Sequence, residues 1–193
     1  MINLQEKFLV PAPPDEVWPL MSDPAVVAAC IPGAELTELT PDGAHRGKVT
    51  FKFGPTVAVF RGEARLTYDH PAKRCLIEAR GIDQKGASRA RARFELGARG
   101  ADTTDVTLEG GFEVAGPLET FASAGGVYVA RALLAEFATN IARVIEQRRA
   151  GRGDAVPEQA QAASATRILG RALLDGARSI VGKNVGKNDK GNA

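Results

Sequence analysis

Residues 90–114, ARARFELGARGADTTDVTLEGGFEV, decide the fold. Ala90, Ala92, Phe94 and Leu96 alternate with Arg91, Arg93 and Glu95. After a break over Gly97 to Thr103, Val106, Leu108, Gly110, Phe112 and Val114 alternate with polar neighbours such as Thr107 and Glu109. A strand sends successive side chains to opposite faces, so this is a pair of antiparallel strands with one apolar face and one wet face.

Working outward toward the N-terminus, the same period holds in Val49, Phe51, Phe53, then in Ala58, Phe60, Gly62, Ala64, Leu66, then in Cys75, Ile77, Ala79. Pro41-Asp42-Gly43, Gly54-Pro55 and His70-Pro71 supply turns, and the spacing predicts an antiparallel sheet of about six or seven strands. Ile2 to Val10 reads as a first strand, stopped by Pro11, Pro13 and Pro14. A short helix over Asp15 to Met21 follows, then a second that starts at Asp23-Pro24 and is closed by Ile31-Pro32-Gly33.

Beyond Gly116-Pro117 the period becomes helical: Val127, Ala130, Leu134, Phe137, Ala138, Ile141 and Ile145 share a stripe opposite Glu136, Thr139, Asn140, Arg143 and Gln147. A long amphipathic helix over roughly 118–148 is expected. Gly125-Gly126 near its start marks close backbone packing or a mild kink. Strand, two short helices, meander and long C-terminal helix make an α+β fold in which a curved sheet wraps the helix.

The inward positions include unusually small residues, Ala58, Gly62, Ala64, Ala79, Ala90, Ala92 and Gly110, met by Ala130 and Ala138 of the helix. Interiors pack densely, so this leaves either a thin closed core or a cavity that a ligand fills, and small residues on both walls favour the cavity. Its expected lining is Phe51, Phe53, Phe60, Ala64, Ile77, Ala92, Phe94, Leu108, Phe112, Tyr128, Leu134, Phe137 and Ile141, although any one phenylalanine at this period also fits plain core. An apolar or aromatic guest would suit such walls.

Groups for catalysis are scarce, because the inward positions just given contain no Ser, His, Asp or Glu, and no enzyme activity is expected. His45 and His70 fall at turns and read as solvated, with no metal-ligand spacing around them. Cys30 closes a helix, where the dipole disfavours a thiolate, and Cys75 reads as a small inward apolar residue. Without CxxC or Cys/His grouping, the two cysteines fit a reduced compartment. Tyr68, Tyr128 and Asn140 could each present a hydrogen-bonding group at a cavity mouth, or pack at the rim with the polar end in water. No glycine-rich phosphate loop is present, and neither a metal nor a covalent cofactor is expected.

The formal net charge of +2 is unevenly spread. Residues 166–193 carry Arg167, Arg171, Arg178, Lys183, Lys187 and Lys190 against Asp175 and Asp189, a net +4, whereas residues 1–165 total −2 with no evident basic face. In TRILGRALLDGARSIVGKN, Ile168, Leu169, Ala172, Leu173, Ala177, Ile180 and Val181 recur at helical spacing. A basic amphipathic helix is expected, touching a membrane through Arg167, Ile168, Leu169, Arg171, Leu173, Arg178, Ile180 and Lys183, or docking on a protein. No aromatic residue in the tail stacks on bases, so nucleic acid is not an expected partner. The division is a domain over 1–149, a linker over 150–165, the tail helix over 166–184 and a disordered end over 185–193. Neither a secretory leader nor a spanning helix is expected.

PPDEVWPLMSDPAVVAACIPGAE (13–35), FGP (53–55), FRGEARLTYD (60–69) and EFATN (136–140), in that order and spacing, resemble the CoxG family of carbon monoxide dehydrogenase subunits. The resemblance covers about 1–148 and implies the helix-grip fold of the START and polyketide-cyclase-like superfamily, with a hydrophobic cavity. It also implies work beside a carbon monoxide dehydrogenase-type molybdenum hydroxylase, in membrane attachment, maturation or electron delivery to quinone. The expectation is a carrier of a prenylated quinone or lipid, peripheral on the cytoplasmic face of the inner membrane. The alternative is a recruitment or maturation scaffold that holds no ligand.

Overall fold

The computed structural model describes the backbone of residues 1–53 and 56–151, and their side chains apart from those of 52, 53 and 56. The tail helix expected over 166–184, its membrane residues Arg167, Ile168, Leu169, Arg171, Leu173, Arg178, Ile180 and Lys183, and the end over 185–193 lie outside the described residues, as does the linker from 152 onward.

The proline cluster ends β1 (Ile2–Val10) and places Pro14 in the first turn of α1 (Pro14–Met21). Asp23 caps α2 (Pro24–Cys30), its Oδ1 accepting from the amides of Ala25 at 2.9 Å and Val26 at 3.3 Å, while Pro24 occupies a first-turn position that has no need of an N–H. Six strands follow: β2 (Ala34–Leu39), β3 (His45–Phe53), β4 (Thr56–Asp69), β5 (Arg74–Asp83), β6 (Arg89–Gly100) and β7 (Thr104–Ala115). Glu119–Arg149 form α3, within one residue of the expected span at each end.

All pairings are antiparallel and the sheet order is β1-β7-β6-β5-β4-β3-β2, so α1 and α2 carry the chain from one sheet edge to the other. The curved sheet and the long helix packed over β1 and β7 form the helix grip. Strand β6 outruns its expected end at Leu96, because Ala98 pairs with Val106 and fills the closed core at 2% exposure. The break at Gly97 is therefore a continuation, and the turn shrinks to residues 101–103.

The closed core sits at one end of the grip. Val17, Trp18 and Leu20 of α1, Val26 and Cys30 of α2, and Phe137, Ile141, Val144 and Ile145 of α3 pack there on Val10, Cys75, Ala98 and Val106. The fully buried Thr104 donates its hydroxyl to the Ala12 carbonyl at 2.7 Å, so that its polar group is satisfied. Arg149 forks onto Glu16 at 2.8 and 3.0 Å and fixes the end of α3 to α1.

The outer face departs from the expectation of a domain without a basic surface. Strand register sets Lys48 opposite Arg61 and Arg80 opposite Arg91, with Arg46 and Arg89 beside them. Each strand carries only one or two of these cations on its wet side, and pairing alone brings them together.

Candidate ligand-binding site

Away from the closed core, the inner face of the sheet is apolar but incompletely covered. Register aligns Ala64, Ala79, Ala92, Phe112 and Ile2 in one row across five strands, and Leu66, Ile77 and Phe94 in the next. All of these are half-buried, as are Phe51 and Phe60 toward β3, whose rings meet edge to face at a centroid distance of 6.2 Å. Apolar residues in the middle of a concave face, under a helix, normally lose all contact with solvent. Here the alanines keep the wall low and α3 lies mainly over β1 and β7, so the inner faces of β3 to β6 are only partly covered.

The helix wall follows from its period. Gly126, Phe137, Ile141, Val144 and Ile145 are its buried residues, and Ala122, Ala130 and Leu134 fall on the same stripe toward the N-terminal end, where they are half-buried. The N-terminal half of α3 thus faces the chamber and the C-terminal half seals it. Ser88 anchors that half: fully buried, its Oγ accepts from the amide of Leu118 at 3.1 Å.

Of the thirteen residues expected to line a cavity, Phe51, Phe60, Ala64, Ile77, Ala92, Phe94, Phe112 and Leu134 stand half-buried around this space. Four are placed otherwise. Phe137 and Ile141 belong to the closed core at 5% and 0% exposure, Phe137 edge-on to Phe8, and Leu108 is buried at 7%. Tyr128 points away from the sheet at 73% exposure, because its helical position lies off the Gly126 stripe. Phe53 ends β3 with its side chain outside the described residues. Ile2, Val49, Ala79 and Gly126 join the wall.

Two inner-face polar residues were missed. His45 is the first residue of β3 and pairs with Ala64, which puts it on the inner face and half-buried, not in a solvated turn. Counting back by twos from Val49 would have found it. Glu6 pairs with Leu108 and so also faces inward, where its carboxylate accepts from Arg131 of α3 at 2.6 Å. That contact braces the helix over β1.

His70 is the exposed turn residue that was expected, but its ring is not free. Its Nδ1 accepts from Trp18 Nε1 at 3.1 Å, and its ring stacks on Tyr68 with centroids 5.4 Å apart. Tyr68 stands edge-on to Trp18 at 6.2 Å, and its phenol is pushed up to about 12, chiefly by burial. Burial also raises the thiols of Cys30 and Cys75 to about 11, which disarms both as nucleophiles at neutral pH. Asn140 is no mouth group: its Nδ2 donates to the Cys30 carbonyl at 2.9 Å and its Oδ1 accepts from Arg143 at 3.1 Å, tying α3 to the end of α2.

This geometry has counterparts among known proteins. The family model of the carbon monoxide dehydrogenase subunit CoxG matches residues 7–146. The chain belongs to the CoxG family. A search of the curated proteins gives no match. Among solved structures, a conserved protein from Geobacillus kaustophilus superposes with a TM-score of 0.67 at 18% identity, over 76% of this chain and 96% of its own. The ZhuI aromatase/cyclase from Streptomyces sp. R1128 gives 0.56 at 15% identity, over 79% and 98%. A norcoclaurine synthase point mutant from Thalictrum flavum gives 0.52 at 16%, over 76% and 95%. At these identities the likeness establishes the helix-grip fold of this CoxG member. Among its described residues, no helix is long and apolar enough to cross a membrane.

Proposed function

We propose that this CoxG-family protein is a non-catalytic carrier of an apolar, ring-bearing molecule, a prenylated quinone or similar lipid, held between the curved sheet and the N-terminal half of α3. The observation that carries the reading is the half-buried apolar inner face made by Phe51, Phe60, Ala64, Ala92, Phe94 and Phe112. Aromatic edges and alanine floors offer dispersion and apolar burial with few fixed hydrogen-bonding groups, which suits a flat apolar guest.

The family name links such proteins to carbon monoxide dehydrogenase. The partner in this reading is a molybdenum hydroxylase of that type, which the carrier connects to a quinone in the membrane. The net +4 of residues 166–193, interleaved with aliphatic residues at helical spacing, supports contact with the anionic cytoplasmic face of the inner membrane. A covalent cofactor has no part in this reading.

A catalytic reading draws its support from His45 and Glu6 on the inner face. Glu6 is held by Arg131, and His45 has no hydrogen-bond partner among the described residues to orient it, so neither forms an acid–base pair.

The decisive experiment is native mass spectrometry with organic extraction of protein purified from its own host, repeated on Ala92→Phe. A stoichiometric quinone or lipid that disappears in the variant supports the carrier. An empty domain that still binds the dehydrogenase sinks it in favour of the recruitment or maturation scaffold.

A further inference from the structure

The outer face of the sheet has a second concavity, unrelated to the apolar chamber. A groove of about 680 Å³ runs across β3 to β6. Its floor is the backbone of Gly47, Gly62 and Gly81, which register aligns at inward-facing positions of three neighbouring strands, between two outward rows of side chains. A side chain at Gly62 would overlap the Arg80 carbonyl, and one at Gly47 the Glu35 carbonyl, so the backbones come together there as only glycine allows. The rim is cationic: Arg46, Lys48, Arg61, Arg80, Arg89 and Arg91, with Ile82 at 47% exposure between them.

Two like-charge pairs face each other across neighbouring strands of the rim. Lys48 lies directly opposite Arg61, and Arg80 directly opposite Arg91. Like charges opposed across a strand pair repel and destabilise it. Glu63 serves Arg46 and Arg80, Glu38 also serves Arg46, Glu35 serves Lys48, and Glu113 lies opposite Arg91 on β7, but Arg61, Arg89 and Arg91 are in no ion pair among the described residues.

We propose that this groove binds a multiply charged phosphate group, carried by a soluble phosphate compound or by a lipid headgroup. An anion there relieves both like-charge pairs at once. The donors arrive from strands β3, β4 and β6, whose outermost backbones are roughly 14 Å apart at ordinary strand spacing. One carboxylate takes a single guanidinium fork, whereas a phosphate or pyrophosphate presents oxygens to several. The volume suits a small organic anion.

The test uses the full chain. Calorimetry with pyrophosphate and with ATP probes the soluble source, and sedimentation with phosphatidylcholine vesicles, with and without phosphatidic acid, probes the headgroup. Saturable binding to either is expected, weakened at least about tenfold by Arg61→Gln with Arg89→Gln and unchanged by Arg93→Gln on the same face outside the groove. Pyrophosphate should also raise the thermal midpoint of the wild type and not that of the double variant. Binding only to phosphatidate vesicles assigns the headgroup; binding to pyrophosphate or ATP assigns the soluble source. Three results would overturn the proposal: no binding to any phosphate probe, binding that the double variant leaves intact, as the basic tail alone would give, or capture of a polyglutamate peptide with no phosphate probe bound.

Discussion

The ring of Phe112 lies on Gly126, so close that a β-carbon added there would meet Cζ at 2.9 Å. The neighbouring Gly125 has nothing within 4 Å of the same position. The two glycines should therefore respond to alanine to different extents. Gly125→Ala gains helix propensity and should stabilise the domain by up to about 1 kcal/mol. Gly126→Ala gains the same term but must push the tip of the half-buried Phe112 ring aside, so it should stabilise less than Gly125→Ala. Thermal unfolding of the two variants checks the order. Equal stabilisation by both would mean that the contact is slack.

The split between closed core and open chamber makes a second contrast along α3. Ile141 is 0% exposed among buried neighbours, and Ile141→Ala should cost about 2–5 kcal/mol through lost burial and an unfilled void. Leu134 lies two turns earlier and is already half-buried. Leu134→Ala should cost about 1 kcal/mol or less and instead enlarge the space available to an apolar guest. Urea denaturation gives both costs, and comparable losses at the two sites would place a filled core along the whole helix.

Most of the fold could be read from period and punctuation. Alternation in β3 to β7, the proline stops after β1 and the Asp23-Pro24 start of α2 are local signals, and each element formed where its own chemistry put it. The site was less legible, because which half of an apolar stripe is sealed depends on where α1 and α2 pack. Phe137 and Leu134 are one turn apart on one stripe, yet the first is buried edge-on to Phe8 and the second is half-buried. His70 and Trp18 are 52 residues apart, and nothing local to His70 says that it will accept a hydrogen bond from the indole. The cationic groove was hidden for a similar reason, since Lys48 and Arg61 become neighbours only through the β3–β4 register.

Stability should fall on the alkaline side. Burial lifts Cys30 and Cys75 from an ordinary value of 9.0 to about 11, and Tyr68 from 10.0 to about 12. Below pH 9 these groups are protonated in both states and their burial is fully compatible with folding. Above it the unfolded chain releases protons that the folded chain still holds, so the unfolded state is favoured progressively through about pH 11, with Tyr68 extending the loss toward 12. The urea midpoint should decline over that window, and Cys30→Ala with Cys75→Ala should flatten its first part. A wild-type midpoint that holds steady from neutral pH to about 11 would contradict the buried placement of both thiols.

Trp18 is the chain's only tryptophan, so its fluorescence reports directly on the polar contact that closes the core beside α1. Its indole N–H donates to His70 Nδ1 at 3.1 Å, while the ring is only 6% exposed. In His70→Ala the donor loses its acceptor and Tyr68 loses the ring stacked on it, an expected cost of about 1–3 kcal/mol. Gln in place of His70 keeps an acceptor at similar reach, so His70→Gln should recover part of the loss and hold the emission maximum nearer that of wild type. If the indole bond and the stacked ring contributed nothing at this exposed turn, both variants would match wild type in stability and in emission. A loss in His70→Ala that His70→Gln partly restores would assign the effect to the hydrogen bond, and an equal loss in both would assign it to the stacked ring.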